Sequence, residues 1–299
     1  MDDGPNILVI RPGALGDTVF TEPVVASLRA RHPDAHIEIA GRMDFLPLLV
    51  GPGLADACSS TDAARFTSLF AAGPVQLAGY DIIIAYLPDE DGSLAAKVCG
   101  AACTAVVFDP RPPGDGSVHI IDHLLKALEP LGVPAARNQP RLPRRDEWLR
   151  QAAALDPVLR RSGEYVVIHP GSGGRHKLLS AEKWADVIAG LRPRPVVLTC
   201  GPADETVVDD VLACVDGERP LVVRNQPVTT LAGVLAGAER YFGCDSGVTH
   251  LAAALGVPAA AVFGPTDPRT WAPRGPDVRV VDAGEGWRGV QMADILRVR

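Results

Sequence analysis

The stretch "ILVIRPGALGDTVF", residues 7–20, passes from an apolar run through two glycines to a carboxylate and then to a second apolar run. The first run is continuous rather than alternating, as in a parallel strand covered on both faces. The second belongs to the segment "TVFTEPVVASLRA", which reads as a helix. Strand, glycine-rich turn and helix in that order form the opening of a doubly wound α/β sheet. Asp17 then stands in the turn at the end of the first strand. It has two readings there, a cap for the following helix or an acid aimed at a ligand.

The same grammar recurs along the chain. "HIEIA", "YDIIIAYL" and "TAVVFD" follow in the first half, then "YVVIH", "RPVVLTCG", "PLVVRN", "ERYFGC" and "PAAAVFG" in the second. Between the two series lies a Pro- and Arg-rich stretch without strand pattern, from Gly132 to Glu164, which reads as the interdomain connection. The expected organisation is a Rossmann-like domain over residues 1–145, a second over 160–285, and a closing helix at 286–299. In open sheets of this kind ligands bind beyond the carboxyl ends of the strands. No strand is followed by G-x-G-x-x-G, and "GSGGRHKL" lacks the GK[ST] of a P-loop.

Composition narrows the function classes. The 299 residues are 47% hydrophobic and 22% charged, too apolar for disorder, and no apolar run reaches the roughly 18 residues of a membrane span. At most a peripheral membrane contact is expected. The start, Met1–Asn6, is acidic where a secretion signal is basic. Six cysteines are scattered without disulfide or zinc-ribbon spacing, so a reducing cytoplasm is expected. Cys99 and Cys103 with His119 and His123 are better read as ordinary packing than as a metal set. The net charge of -7 is uneven: residues 1–136 hold 8 basic and 17 acidic side chains, which excludes nucleic acid as a partner for that half.

Four loops carry the candidate chemistry. "DSGVTH", residues 245–250, precedes the buried-helix run "LAAALG". Asp245 or Ser246 caps that helix, or its exposed N–H groups hold a diphosphate with Ser246 and Gly247 close by and His250 one turn in. "PGSGGRHK", 170–177, sets Ser172, Gly173 and Lys177 after another strand, where glycines admit close backbone approach and a lysine meets phosphate. One nucleoside diphosphate bridged by both loops accounts for both. Glu205 in "CGPADE" suits ribose hydroxyls. Asp267 in "PTDP" shapes a turn. Opposite a bound activated sugar, Asp17 suits removal of a proton from an acceptor hydroxyl.

The set "ILVIRPGALGD" with "TEPVVASLR", "IHPGSGGRHK" with "EKWADVI", and "DSGVTHLAAALGVPAAAVFGPTDP" resembles glycosyltransferase family 9, the ADP-heptose heptosyltransferases of lipopolysaccharide core assembly. The resemblance implies a GT-B fold of two Rossmann-like domains facing a cleft and an inverting, metal-independent reaction without cofactor. It also implies an ADP-sugar donor, ADP-heptose, in the second domain, and a saccharide or small-molecule acceptor on the first. By matched position Asp17 is the general base and Lys177 binds donor phosphate. Ser172, Gly173, Asp245, Ser246, Gly247 and His250 line the donor site, with Glu205 matched less closely. Arg11, Gly13, Gly16 and Arg42 are the acceptor-side candidates. Leu178-Leu179 departs from the Trp-Pro pair that commonly follows the family's lysine. Two other readings stand beside this one: a metal-dependent transferase using Asp89, Glu90 and Asp91, and a nucleotide-sugar-binding module without catalysis.

Overall fold

The computed structural model describes residues 4–71, 75–102, 104–284, 287 and 290–297, and the chain divides into two compact units, 1–140 and 141–299. The first unit runs β1 (Asn6–Ile10), α1 (Leu15–Arg31), β2 (His36–Gly41), β3 (Ala57–Ser60), α2 (Ala64–Thr67), β4 (Ile82–Tyr86), α3 (Ser93–Cys99), β5 (Thr104–Phe108) and α4 (Ile120–Leu125). Its sheet is ordered β3-β2-β1-β4-β5, and every pairing is parallel. Ile7, Leu8 and Val9 on β1 are wholly buried, as the unbroken apolar run requires of a central strand.

The second unit opens on α5 (Asp146–Ala153) and continues with β6 (Val166–His169), α6 (Ala181–Leu191), β7 (Val196–Cys200), α7 (Glu205–Cys214), β8 (Leu221–Arg224), α8 (Val228–Ala236) and β9 (Arg240–Cys244). It closes with α9 (Gly247–Ala254), β10 (Ala259–Phe263), α10 (Pro268–Trp271), β11 (Val278–Asp282) and α11 (Met292–Leu296). The sheet order β11-β10-β9-β6-β7-β8, again all parallel, is the doubly wound order that reverses direction between its first and fourth strands. The expected pair of Rossmann-like sheets is therefore what the chain forms.

Two strands fall outside the expected series. β3 (ACSS) and β11 (VRVVD) are both edge strands, half-exposed, so one side of each meets water and polar residues replace the aliphatic run. The Pro- and Arg-rich stretch divides at residue 140. Its first part is bound to α1, where Ala136 N–H donates to Ser27 Oγ at 2.9 Å and Arg137 pairs with Glu22. Its second part supplies α5, which packs so closely on α8 that a Cβ on Gly233 would lie 1.9 Å from the Trp148 carbonyl oxygen. The closing helix, expected to return to the first domain, is represented by α11. Its principal contacts are with α6 and β10, where Leu296 and Met292 cover Gly190. Among the described residues no helix is long and apolar enough to cross a membrane.

Glu22 is wholly buried within α1, and Arg137, itself 32% exposed, supplies a countercharge. Arg137→Met should destabilise the first unit by about 2–3 kcal/mol, somewhat below the roughly 3–5 kcal/mol for breaking a fully buried pair. Urea denaturation checks this, and Glu22→Leu with Arg137→Met should recover much of the loss.

Candidate active site

In the second unit β6 and β9 are hydrogen-bonded neighbours, with His169 in register with Gly243. The loops leaving both strands therefore start side by side at the point where strand order reverses. Asp245 is the hub between them. Its carboxylate, 8% exposed, accepts from Lys177 Nζ and from Thr266 Oγ1, each at 2.8 Å to Oδ2, while His250 Nε2 lies 3.7 Å from Oδ1. The Asp245 backbone carbonyl accepts from Ser172 Oγ at 2.6 Å. Three loops, after β6, β9 and β10, are thus tied to one residue. Burial works against ionisation of Asp245, but the contacts from His250 and Lys177 outweigh it and hold its pKa down at about 2.

Ser246 is the N-cap of α9, its Oγ accepting from Thr249 N–H at 3.3 Å, and Gly247 opens the helix. The remaining first-turn N–H groups and the helix dipole favour an anion there. Gly173 faces open space and presents backbone alone. The hydroxyls of Ser172 and Ser246 are engaged internally. Lys177 keeps 26% of its side chain exposed beside Asp245. Glu205 begins α7 and accepts from Asn225 Nδ2 at 2.9 Å. Beside it the sequence reading passed over Asp204, which accepts from Gly201 N–H at 3.1 Å and stands 3.8 Å from the buried His169. Asp204 is packed against Gly171, where a Cβ would fall 2.1 Å from its Oδ1. Thr266 was passed over as well. Its only signal is its position just beyond β10, in a tetrapeptide whose aspartate, Asp267, caps α10 as a turn residue should.

In the first unit Asp17 is not in the turn before the helix. α1 begins at Leu15, and Asp17 is its third residue. One carboxylate oxygen accepts from Ala14 N–H at 2.8 Å and the other from Arg11 Nη2 at 2.5 Å, leaving the side chain 34% exposed. Cap and exposed acid are thus compatible readings. Gly13 has φ of +144°, and a Cβ there would meet Asp17 Oδ2 at 2.4 Å, so glycine is required on both counts. Gly16 lies within α1. Arg11 is buried, which disfavours its charge, with Asp17 compensating. Arg42 pairs with Asp44 at 3.1 Å and lies over the Phe45 ring.

The acids after β4 act locally. Asp89 accepts from Leu94 and Ala95 N–H and Asp91 from Ser93 N–H, capping α3. Among the described residues no three His, Cys, Asp or Glu side chains gather in a metal-holding group. Cys103 lies outside the described residues.

Asp245 also fixes a pH signature. A carboxyl lowered from 3.8 to about 2 on folding stabilises the fold above pH ~4, and that contribution is lost as pH falls from ~4 towards ~2. Asp245→Asn should lower stability at neutral pH and flatten the dependence of unfolding free energy on pH between ~4 and ~2. Denaturant titrations of both proteins across that interval measure the difference.

The glycosyltransferase family 9 (heptosyltransferase) profile matches residues 109–292, more than half of the chain. Lipopolysaccharide heptosyltransferase 3 of Escherichia coli strain K12 is 29% identical, over 86% of this chain and 82% of its own length. The structure of E. coli ADP-heptose lps heptosyltransferase II superposes with a TM-score of 0.76 at 19% identity, covering 97% of this chain and 96% of that one. E. coli heptosyltransferase WaaC with ADP-2-deoxy-2-fluoro heptose gives 0.65 at 20% identity, with 92% of each chain covered. The two parallel-sheet units are accordingly those of the GT-B fold. A site built from one buried aspartate, a loop lysine and a capped helix start thus lies within the matched span, and the protein belongs to glycosyltransferase family 9.

Proposed function

We propose that the protein transfers a heptose from ADP-heptose to an acceptor hydroxyl with inversion and without a metal, Asp17 acting as general base. The second unit takes the donor and the first the acceptor. The observation that carries this reading is the pairing of opposite chemistries at the two places where strand order reverses. One holds a lysine and a capped helix start, suited to a diphosphate; the other holds an oriented, partly exposed carboxylate. WaaC bound to an ADP-heptose analogue supports the choice of donor.

In the step itself the acceptor oxygen attacks the anomeric carbon, and the bond from that carbon to the diphosphate oxygen breaks with its electron pair leaving on ADP. The hydroxyl proton passes to Asp17. Arg11 and Ala14 N–H hold the carboxylate by one lone pair on each oxygen, which leaves a second lone pair for the proton. Lys177, Ser246 and Gly247 face the charge that grows on the departing diphosphate, a task otherwise done by a cation. The free thiols of Cys58, Cys99, Cys200, Cys214 and Cys244 suit a reducing cytoplasm.

Incubation with a panel of nucleotide sugars, in EDTA, should release ADP from ADP-heptose. Asp17→Asn should keep ADP affinity while turnover falls by about 10²–10⁴, the usual contribution of a general base. Near wild-type turnover in that variant reduces Asp17 to a helix cap. Activity lost in EDTA and restored by Mn²⁺ overturns the metal-free route.

The acceptor follows from charge. The arginines at the strand ends of the first unit are already engaged: Arg11 on Asp17, Arg42 on Asp44, and Arg111 on Asp109. Arg65 is paired with Glu38. With 8 basic against 17 acidic residues over 1–136, this unit repels anions, and we infer a neutral or cationic acceptor such as an amino sugar or aminocyclitol. For a cationic acceptor kcat/KM should fall as ionic strength rises, within the roughly 10–10³ range of electrostatic steering. Efficient transfer to a phosphorylated lipopolysaccharide core and none to amino sugars overturns this inference.

A further inference from the structure

Trp287 combines a costly backbone with an unusual set of contacts. Its φ is +58°, a left-handed conformation that a bulky side chain adopts only when its surroundings hold it there. The six-membered edge of the indole covers Gly264, where a Cβ would stand 2.6 Å from Cζ2 and 2.7 Å from Cε2. The indole N–H donates to the His176 carbonyl at 3.4 Å, and the Trp287 carbonyl accepts from Lys183 Nζ at 3.3 Å. These contacts fall on the two arms that meet at Asp245. His176 directly precedes Lys177, and Gly264 lies two residues before Thr266. Lys177 and Thr266 both donate to the same oxygen, Asp245 Oδ2. The loop between Gly171 and Ser180 contains no Phe, Tyr or Trp to brace it from within.

We propose that Trp287 is a positioning residue for donor binding: its indole fastens the turn carrying Lys177 to the loop carrying Thr266, and so keeps the Lys177 ammonium aimed where the diphosphate lies. The proposal rests on the reading of Lys177 as a phosphate ligand. The latch has two halves, a face packed on a glycine and a single N–H to a carbonyl. Each half can be removed separately.

The test uses the full-length chain and ADP as probe. ADP affinity is measured by calorimetry, and donor KM and kcat are measured for Trp287→Ala, Trp287→Phe, Gly264→Ala and Lys177→Ala, and for Lys177→Ala combined with Trp287→Ala. Trp287→Ala should weaken ADP binding about tenfold, the scale of coupling between groups in one contact network, and raise donor KM with kcat little changed. Gly264→Ala should do the same although Trp287 is intact, because its methyl group displaces the indole. Trp287→Phe, which keeps a ring but loses the N–H, should fall between. In the Lys177→Ala background the further loss from Trp287→Ala should nearly vanish, which a general weakening of the fold would not produce.

Wild-type ADP affinity in Trp287→Ala or Gly264→Ala overturns the latch while leaving Lys177 in its role, provided that Lys177→Ala weakens binding. Full additivity in the double variant overturns it as well. Unchanged affinity in Lys177→Ala overturns the phosphate reading and the latch together. Should Trp287→Ala fail to fold, Gly264→Ala and Trp287→Phe carry the same test.

Discussion

A carboxylate buried at the end of a central parallel strand needs partners, because transfer of a lone charge out of water costs more than a fold of this size can offset. Asp245 meets that need by drawing Lys177, Thr266 and His250 around it and by offering its backbone carbonyl to Ser172. The partners come from the loops after β6 and β10 and from α9, so satisfying one charge also fixes the relative placement of the glycine-rich loop, the start of α9 and the turn after β10. The cost of burial is thereby converted into order among these segments.

Sheet order explains why that place exists. Adjacent parallel strands whose connections go to opposite faces leave their carboxyl ends uncovered, and β6 and β9 are such a pair. β1 and β4 form the corresponding pair in the first unit, and Asp17 follows the first of them. The two units repeat one architectural device with opposite charge. At the reversal of one stand a lysine and a helix start, and at that of the other an acid held by arginine and a backbone N–H.

Much of this was legible in the chain because buried parallel strands favour apolar residues, and nine strand-length, mostly apolar segments stand out between helix-like ones. β3 and β11 were not legible because ACSS and VRVVD break the aliphatic run with polar or charged residues, which a partly exposed edge strand tolerates, whereas the opposite edges β5 (TAVVF) and β8 (LVVR) keep theirs. At the site, loop glycines and the acids and lysine beside them could be read from spacing after strands. The start of α1 could not: Leu15 and Gly16 look like turn residues, and only the capping of Ala14 N–H by Asp17 reveals that the helix has already begun. Thr266 and Trp287 were hidden for a different reason. Their partners lie 21 and 111 residues away, and no local pattern records such a contact.

The bond between Glu22 and Arg137 spans 115 residues of chain. A buried carboxylate in the middle of α1 thus shares its countercharge with the last residues of its own unit. Units of this kind generally fold as wholes, and an ion pair joining the first helix to the far end of the unit accords with that. The boundary at residue 140 lies three residues beyond Arg137, so both ends of this long-range bond belong to one unit.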